Sequence, residues 1–579
     1  MKRIISLLLA LVMLIGCVSL FASCAPKNDG AEISVYLGDE VYDFDPTAYY
    51  TDSNAEQVMS LLFEPLFHIN AKGKLEYGAA KGYKIDAENN QIVITLRETY
   101  WSNTKRVKAE DFVFTWRDYL LSPDNPNPAA ALLFDIENAR EVKQGSVSSY
   151  ELGVDASDVY EITITCREGA DYNQLLRNLA SVSTSPIYKD GITVYNEGYW
   201  SKAMNSLVTN GAFKIADIDA SSFTVARNIG YHQKTTVTNP TKQVTPNKLV
   251  RFEGEGTAFA VSYADLESKA VFYMGDASLE ERKANKANAV YADDLSTYTY
   301  VFNTEKELFA NEKVRQALSM AIDREAIVEA ITFGKAATGF LPDSVLDIST
   351  GKSFRGDALI STSAKMTEAK ALLADVNLSG VDKSFTLSVN DDHESLAIAA
   401  LVETAWEELG FDVTVEKLGA VTNEATDFNT STTVEVNDSE VQTSVISAAR
   451  GNRDFDVIAV DWQMYSQDAF VALAAFADGF SGCGVDFETD RMFGSFGGWA
   501  SSEYDDLIEA AYGAADKSVR SRALHDAEKL LVSSACIVPV VYNQTFAFVS
   551  ADLSGVVFNG FGNVVFTKVS QKNYEDYLA

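Results

Sequence analysis

Between Ile4 and Cys24 the chain carries no charged side chain, and it never builds so long an apolar run again. Lys2 and Arg3 precede that run, and the small pair Ala22-Ser23 closes it. Basic residues, an apolar stretch and then small residues make the layout of an export signal. The run is longer than the usual core of such a signal, so an uncleaved membrane helix is the competing reading. No later stretch is long and apolar enough to cross a bilayer. The remainder is therefore expected to be a soluble body on the outer side of a membrane. At 579 residues it is too long for a single core and should divide into two or three domains. With 47% hydrophobic and 11% aromatic residues it has the composition of a folded protein.

Ala22-Ser23 immediately before Cys24 resembles a bacterial lipoprotein signal, in which the leader is clipped and the cysteine becomes a lipid-bearing N-terminus. The residues 14–17, Leu-Ile-Gly-Cys, fit that pattern by letter even better. Cleavage before Cys17 leaves the apolar Val18-Ser19-Leu20-Phe21 exposed, whereas Cys24 leads into the flexible Ala25-Pro26-Lys27-Asn28-Asp29-Gly30. Cys24 is the expected anchor, and several acyl chains on it hold a protein where one does not.

The net charge of −34 makes nucleic acid a poor partner, because phosphate binding needs basic surface. Solubility accounts for it, and a preference for cationic ligands is the sharper alternative. Cys166, Cys483 and Cys536 are too few and too odd in number for a disulfide framework. Three buried thiols are expected, with one bridge among them as the alternative.

Residues 32–37 alternate as a strand, and a capped helix follows Asp52-Ser53-Asn54. Ile92, Ile94 and Leu96 share one strand face. A helix starting at Ala109 places Phe112, Thr115, Trp116 and Tyr119 on a core face and stops at Ser122-Pro123. From Val314 to Ile331 a helical period runs without interruption, with Gly334 as its stop and Arg315 and Asp323-Arg324 read as a solvated or packed helix pair. Ile398, Val402, Ala405 and Leu409, then Gly410, then Phe411, Val413 and Val415 spell helix, turn and strand, which is α/β grammar. Residues 537–542 form a strand whose Pro539 suggests a sheet edge or a strand start. Residues 419–452 read as a loop or insertion.

Catalytic signatures are missing from the sequence. His68, His232, His393 and His525 lack metal-ligand spacing. Gly351-Lys352-Ser353 lacks the earlier glycine of a phosphate loop, and the run 479–483 has a cysteine where a nucleophile elbow needs glycine. No enzyme, cofactor or metal is expected.

Several blocks, taken together and in order, resemble the oligopeptide/dipeptide-binding lipoproteins of ABC importers, the extracellular solute-binding proteins of family 5. They are WSNTKRVKAEDFVFTWRDYLLSPDNP (101–126), NGAFKI (210–215), TYTYVFNTEKELFANEKVRQALSMAIDREAIV (297–328), Phe455-Asp456-Val457 with Asp461-Trp462, and IVPVVY (537–542). They extend over nearly the whole chain after the leader. The resemblance implies an α/β, periplasmic-binding-protein-like fold, bilobal with an extra inserted lobe. Residues 1–23 would be signal and 24–31 tether. Lobe I would take 32–75, 190–296 and 543–579, lobe II 76–189, and lobe III 297–542. The ligand cleft lies between lobes I and III, which close by a hinge.

The resemblance further implies a monomeric receptor, held by Cys24 at the outer face of the cytoplasmic membrane, that passes peptides to a permease. Its ligand residues would be Tyr50, Thr51, Asp52 and Ser53 on one wall and Asp461, Trp462, Gln463, Met464, Tyr465 and Asp468 on the other. The family's run offers a strand edge to the peptide main chain. It also has an aspartate three residues after the tryptophan to take the peptide amine. Here that position is Tyr465, and the nearby Asp461 and Asp468 are not in register. That departure keeps open a non-peptide cargo, such as a metal chelate or an oligosaccharide. A peptide sensor without transport is a further alternative. Packing is the competing role for Trp462 and Tyr465, and a plain helix cap for 49–53.

Overall fold

The computed structural model describes residues 32–38, 41, 44–48, 53–125, 127–195, 200–201, 207–218, 222–232, 248–252, 272–418, 455–480 and 496–571. Cys17, Cys24, Cys483 and the expected loop 419–452 lie outside them. The fold is α/β, built around an eleven-stranded mixed sheet. Its order is Asp412–Leu418, Ser384–Asn390, Val457–Gln463, Ala289–Phe302, Ile537–Val549, Phe272–Tyr273, Glu32–Tyr36, Lys248–Phe252, Ser222–Arg227 and Phe213–Ile218, with Lys335–Ala336 also paired to Ile537–Val549.

Ala289–Phe302 and Ile537–Val549 are far longer than their neighbours and run antiparallel through both halves of the sheet. Residues 289–293 pair with 544–548, and 297–301 pair with 537–542. Between Asp293 and Thr297 the register shifts. Alternation along the second half decides which core each side chain enters. Tyr298, Tyr300 and Phe302 pack with Phe309, Phe385 and Trp406 beneath the helices Glu312–Ala321 and His393–Glu408. Leu295 and Val301 enter the larger core on the opposite face.

A second, four-stranded antiparallel sheet lies within 80–165, in the order Ala80–Asp86, Gln91–Leu96, Glu161–Thr165, Val154–Asp158. Ile92, Ile94, Leu96, Ile162 and Ile164 form its buried face. The helix at Ala109 runs to Phe114 and continues as a wide π turn through Leu120. Trp116 on it is fully buried, with its indole N–H donated to the Thr184 carbonyl at 2.9 Å. Cys166 and Cys536 are buried free thiols.

One expectation changes and two are narrowed. The helical period from Val314 to Ile331 is two helices, Glu312–Ala321 and Arg324–Ile331. The chain extends at Ile322-Asp323, and the Asp323 carboxylate accepts the Ala326 N–H at 3.0 Å, so an N-cap splits an apolar stripe that is continuous in sequence. Of the two readings for Arg315 and Arg324, solvated or packed, the structure takes the packed one. Both are buried and donate to main-chain carbonyls: Arg315 to Ser534 at 2.7 Å and Phe309 at 2.7 Å, Arg324 to Pro539 at 2.8 Å and Ser361 at 3.2 Å. Pro539 is the third residue of its strand, as the strand-start reading expects; it pairs with Thr299 at a second register shift, and no other strand pairs at that position among the described residues. A missing N–H is tolerated at such a bulge.

Arg324→Met keeps the apolar stem and removes every donor. It leaves at least two core carbonyls unanswered and is expected to lower the unfolding free energy by roughly 2–4 kcal/mol. Urea unfolding tests this, and an unchanged midpoint would mean that Arg324 holds nothing together.

Candidate functional site

Val457–Gln463 pairs along its whole length with Ala289–Phe302, from Ser296↔Gln463 to Phe302↔Val457. On its other side the parallel ladder to Ser384–Asn390 covers only Val457 and Ile458. From Ala459 to Gln463 that edge therefore carries no strand among the described residues. The chain then leaves the sheet. The Met464 N–H still reaches the Leu295 carbonyl at 2.9 Å, and Tyr465 takes a left-handed backbone at φ 58°. This conformation is uncommon for a bulky side chain, and such outliers cluster at ligand clamps and switch regions.

Strand alternation turns Asp461 and Trp462 to opposite faces. Trp462 is buried, stacked on Phe476 with ring centres 4.7 Å apart and edge-on to Phe340 at 5.8 Å. Asp461 keeps solvent access although protein surrounds it, as does a group at the floor of a cleft. It accepts a hydrogen bond from the Asn543 amide at 2.7 Å, and Asn543 also donates to the Ser296 hydroxyl at 2.9 Å. This knot sits at the register shift of the two long strands.

The surroundings of Asp461 are acidic. Desolvation, the Glu394, Asp392 and Asp294 charges and the opposing Asn543 bond leave the Asp461 pKa at about 7. Desolvation carries Asp294 to about 6 and Asp392 to about 6. Glu56 goes to about 8 through burial and the Asp294 charge, despite the Asn563 bond. Glu56 lies on the helix Ser53–Leu62 and accepts from Gln463 at 3.0 Å and from Asn563 at 2.7 Å. One carboxylate thus joins that helix, the C-terminal segment and the end of the Val457–Gln463 strand.

A second bridge, away from the cleft floor, joins segment 134–178 to segment 467–520. Arg140 lies 3.6 Å over the Phe480 ring, donates to the Gly479 carbonyl at 2.9 Å and pairs with Glu509 at 3.1 Å. Arg167 lies 4.0 Å over Tyr512, whose hydroxyl donates to the Phe134 carbonyl at 3.1 Å. Lys517 pairs with Asp171 at 2.5 Å, and Arg177 donates to Gln467.

The structure brings Asp461, Trp462, Gln463, Met464, Tyr465 and Asp468 into one strand-to-helix turn, at which Ala469–Ala474 begins. Asp468 is buried. Its carboxylate accepts from Asn178 at 3.2 Å and from the Phe470 N–H at 3.0 Å, with Arg520 at 3.8 Å. Tyr465 is buried as well. Tyr50, Thr51 and Asp52 lie outside the described residues, and Ser53 opens the helix that carries Glu56. Glu56, Asp294, Ser296, Asp392 and Asn543 escaped the sequence reading because only the sheet assembles them. The sequence offered one relevant signal, the excess of acid over base. Linear spacing also hid a partner for two histidines. His68 and His232 converge on buried Glu64, at 3.2 Å and 2.8 Å. Burial raises that carboxylate, but the two histidines outweigh it and hold its pKa at about 2.

Against known proteins, the family model for bacterial extracellular solute-binding proteins, family 5 Middle, matches residues 74–482. The dipeptide-binding protein DppE of Bacillus subtilis is 25% identical over 93% of this chain and 92% of its own. The periplasmic murein peptide-binding protein MppA of Escherichia coli is 25% identical over 93% and 92%. In structure, Haemophilus influenzae OppA in complex with RPPGFSPFR superposes with a TM-score of 0.72 at 22% identity, covering 94% of this chain and 99% of that one.

Two variants separate packing from charge. Trp462→Ala empties a stacked core position and is expected to cost roughly 3–5 kcal/mol of stability. Denaturant unfolding that shows no loss would free Trp462 from the core. The Glu56 pKa in the folded state, about 8, lies above its ordinary 4.5. The native state therefore holds a proton that the unfolded chain releases, and stability falls as pH rises through that window. Glu56→Gln is expected to flatten the fall, so melting temperatures at pH 5 and pH 9 should differ less than in the wild type. An equal difference would mean that Glu56 is ionised throughout.

Proposed function

The chain belongs to the bacterial extracellular solute-binding proteins of family 5, binding proteins and not enzymes, and from that premise we propose that it is a lipid-anchored peptide receptor of an ABC importer. The observation that carries this reading is the unpaired Ala459–Gln463 edge beside the register shift of the two long strands. A peptide added there gains main-chain hydrogen bonds whatever its side chains. Its curated relatives include proteins named for binding dipeptides and murein peptides.

In this reading lobe I is 32–75, 190–296 and 543–579, lobe II is 76–189, and lobe III is 297–542. The long strands cross from lobe III to lobe I at 296/297 and 542/543. Few regular ladder bonds resist bending at the Asp293–Thr297 shift, so closure hinges there. Asp461 to Asp468 form one wall, and Tyr50 to Ser53 face it. Segments 134–178 and 467–520 latch the closed form, which docks on the permease. Cys24 carries the lipid that keeps the receptor at the outer face of the cytoplasmic membrane.

Native mass spectrometry of gently purified protein tests the cargo. A ladder of peptide masses supports the reading, and a single metal-chelate or oligosaccharide mass replaces it. Arg140→Ala with Arg167→Ala touches no cleft residue. It is expected to weaken peptide affinity about tenfold by lowering the closed population, and calorimetry showing equal affinity would remove the latch. Cys24→Ala is expected to release the protein from membranes. Retained lipid labelling, with loss in Cys17→Ala, would move the anchor to Cys17.

A further inference from the structure

The free edge at Ala459–Gln463 ends in a turn that is held from outside lobe III. Resting on the peptide-receptor reading, we propose that Asn178, in lobe II, is a positioning residue for that edge. It pins the Tyr465–Asp468 turn and so sets where the edge stops.

Three successive turn residues are tied to the end of one helix, Tyr172–Asn178. The Ser466 hydroxyl donates to the Asn178 side-chain oxygen at 3.1 Å. The Asn178 amide donates to the Asp468 carboxylate at 3.2 Å. Between them, the Gln467 side chain accepts from Arg177, which also donates to the Gly73 carbonyl at 3.0 Å. Asn178 is 2% exposed, and its hydrogen-bonding capacity is fully used. Its amide also serves the Leu132 carbonyl at 3.3 Å, and its oxygen also accepts from Gln174 at 3.0 Å. A carboxamide with both donors and both acceptor positions committed can neither turn nor shift without losing a bond. The helix lies in the segment 134–178 that latches on 467–520, so the latch and the turn share one anchor.

Tyr465 is the independent observation. A left-handed backbone, here φ 58°, is unfavourable for a bulky residue and persists only where its surroundings over-determine it. The strand Val457–Gln463 has already ended at that point. The Asp468 N–H is donated to the Ser466 hydroxyl at 3.0 Å, the same hydroxyl that Asn178 orients. Removing Asn178 takes the shared anchor from Ser466 and Asp468 together. Tyr465 is then free to relax toward an ordinary backbone basin, and the Gln463 end of the edge moves with it. Lobe II holds none of the residues proposed for the ligand walls, yet it acts on the ligand through the geometry of this edge. By linkage, a filled edge tightens the lobe II contact in return.

Amide hydrogen exchange on the full chain as purified reads the turn directly. Asn178→Ala is expected to speed exchange at Met464 and Asp468 about tenfold, with the strand amides of 298–302 unchanged. Ser466→Ala removes the same anchor from the other side, so the double variant is expected to exchange no faster than Asn178→Ala alone. Asn178→Asp is the conservative rescue. At pH 5 a proton shared between the introduced carboxyl and Asp468 restores the bond, and at pH 8 two carboxylates repel. Arg520, at 3.8 Å, and Asp135 are the other charges acting on Asp468. Protection of the turn in Asn178→Asp is expected to match the wild type at pH 5 and Asn178→Ala at pH 8. Calorimetry with Ala-Ala-Ala is expected to show about tenfold weaker binding in Asn178→Ala. Exchange that is unchanged at the turn, or quickened equally along the whole chain, overturns the proposal and returns Asn178 to packing. Quickened exchange with undiminished affinity overturns it as well. A wild type that does not bind Ala-Ala-Ala counts against the peptide reading, and the exchange pattern still decides the role of Asn178.

Discussion

Two strands, Ala289–Phe302 and Ile537–Val549, pair through both halves of the sheet and hold those halves together. The other elements take their places relative to that ladder. The Val457–Gln463 strand is aligned by it, Asn543 and Ser296 meet because they face each other across it, and the shift between Asp293 and Thr297 interrupts it midway. An antiparallel ladder is stiff along its length and weakest where its register breaks. The most deformable point of the connection therefore lies next to Asp461 and the unpaired edge. Asp461 and the register break therefore lie beside each other.

The polar groups at that floor work against folding. Glu56, Asp294, Asp392 and Asp461 all have raised pKa values, with desolvation as the largest cause. Carboxylates set in this way are pushed toward the neutral form. The stability that these carboxylates forgo is supplied elsewhere, by the aromatic packing of Tyr300, Phe302, Phe385 and Trp406 and by arginines that donate to main-chain carbonyls or stack on rings. The Arg140 and Arg167 stacks are remote from the floor.

Much of the local structure was legible. The shared face of Ile92, Ile94 and Leu96, the stripe Ile398-Val402 ending at Gly410 and the core face of Trp116 were read from apolar spacing, and each appears where that spacing puts it. One reading failed locally: Asp323 caps a second helix at Ala326 and splits a continuous stripe. Which alternative Arg315 and Arg324 take, solvated or packed, was decided by carbonyls distant in sequence, Ser534 and Pro539. The Asp461–Asp468 run was singled out from sequence by its resemblance to the family. Its separation into a solvent-facing Asp461 and a buried, arginine-paired Asp468 was not.

By itself the sequence determined the fold class, because hydrophobic period and turn residues act over a few positions and survive in one dimension. It also determined the family, because ordered blocks persist along the chain, and the charge, because composition requires no geometry. Only the tertiary structure decided which carboxylates feel one another's charge. Glu56, Asp294, Asp392 and Asp461 are separated by tens to hundreds of positions. Their pKa values arise from burial and from one another's charge, quantities that depend on distance in space and have no counterpart in distance along the chain.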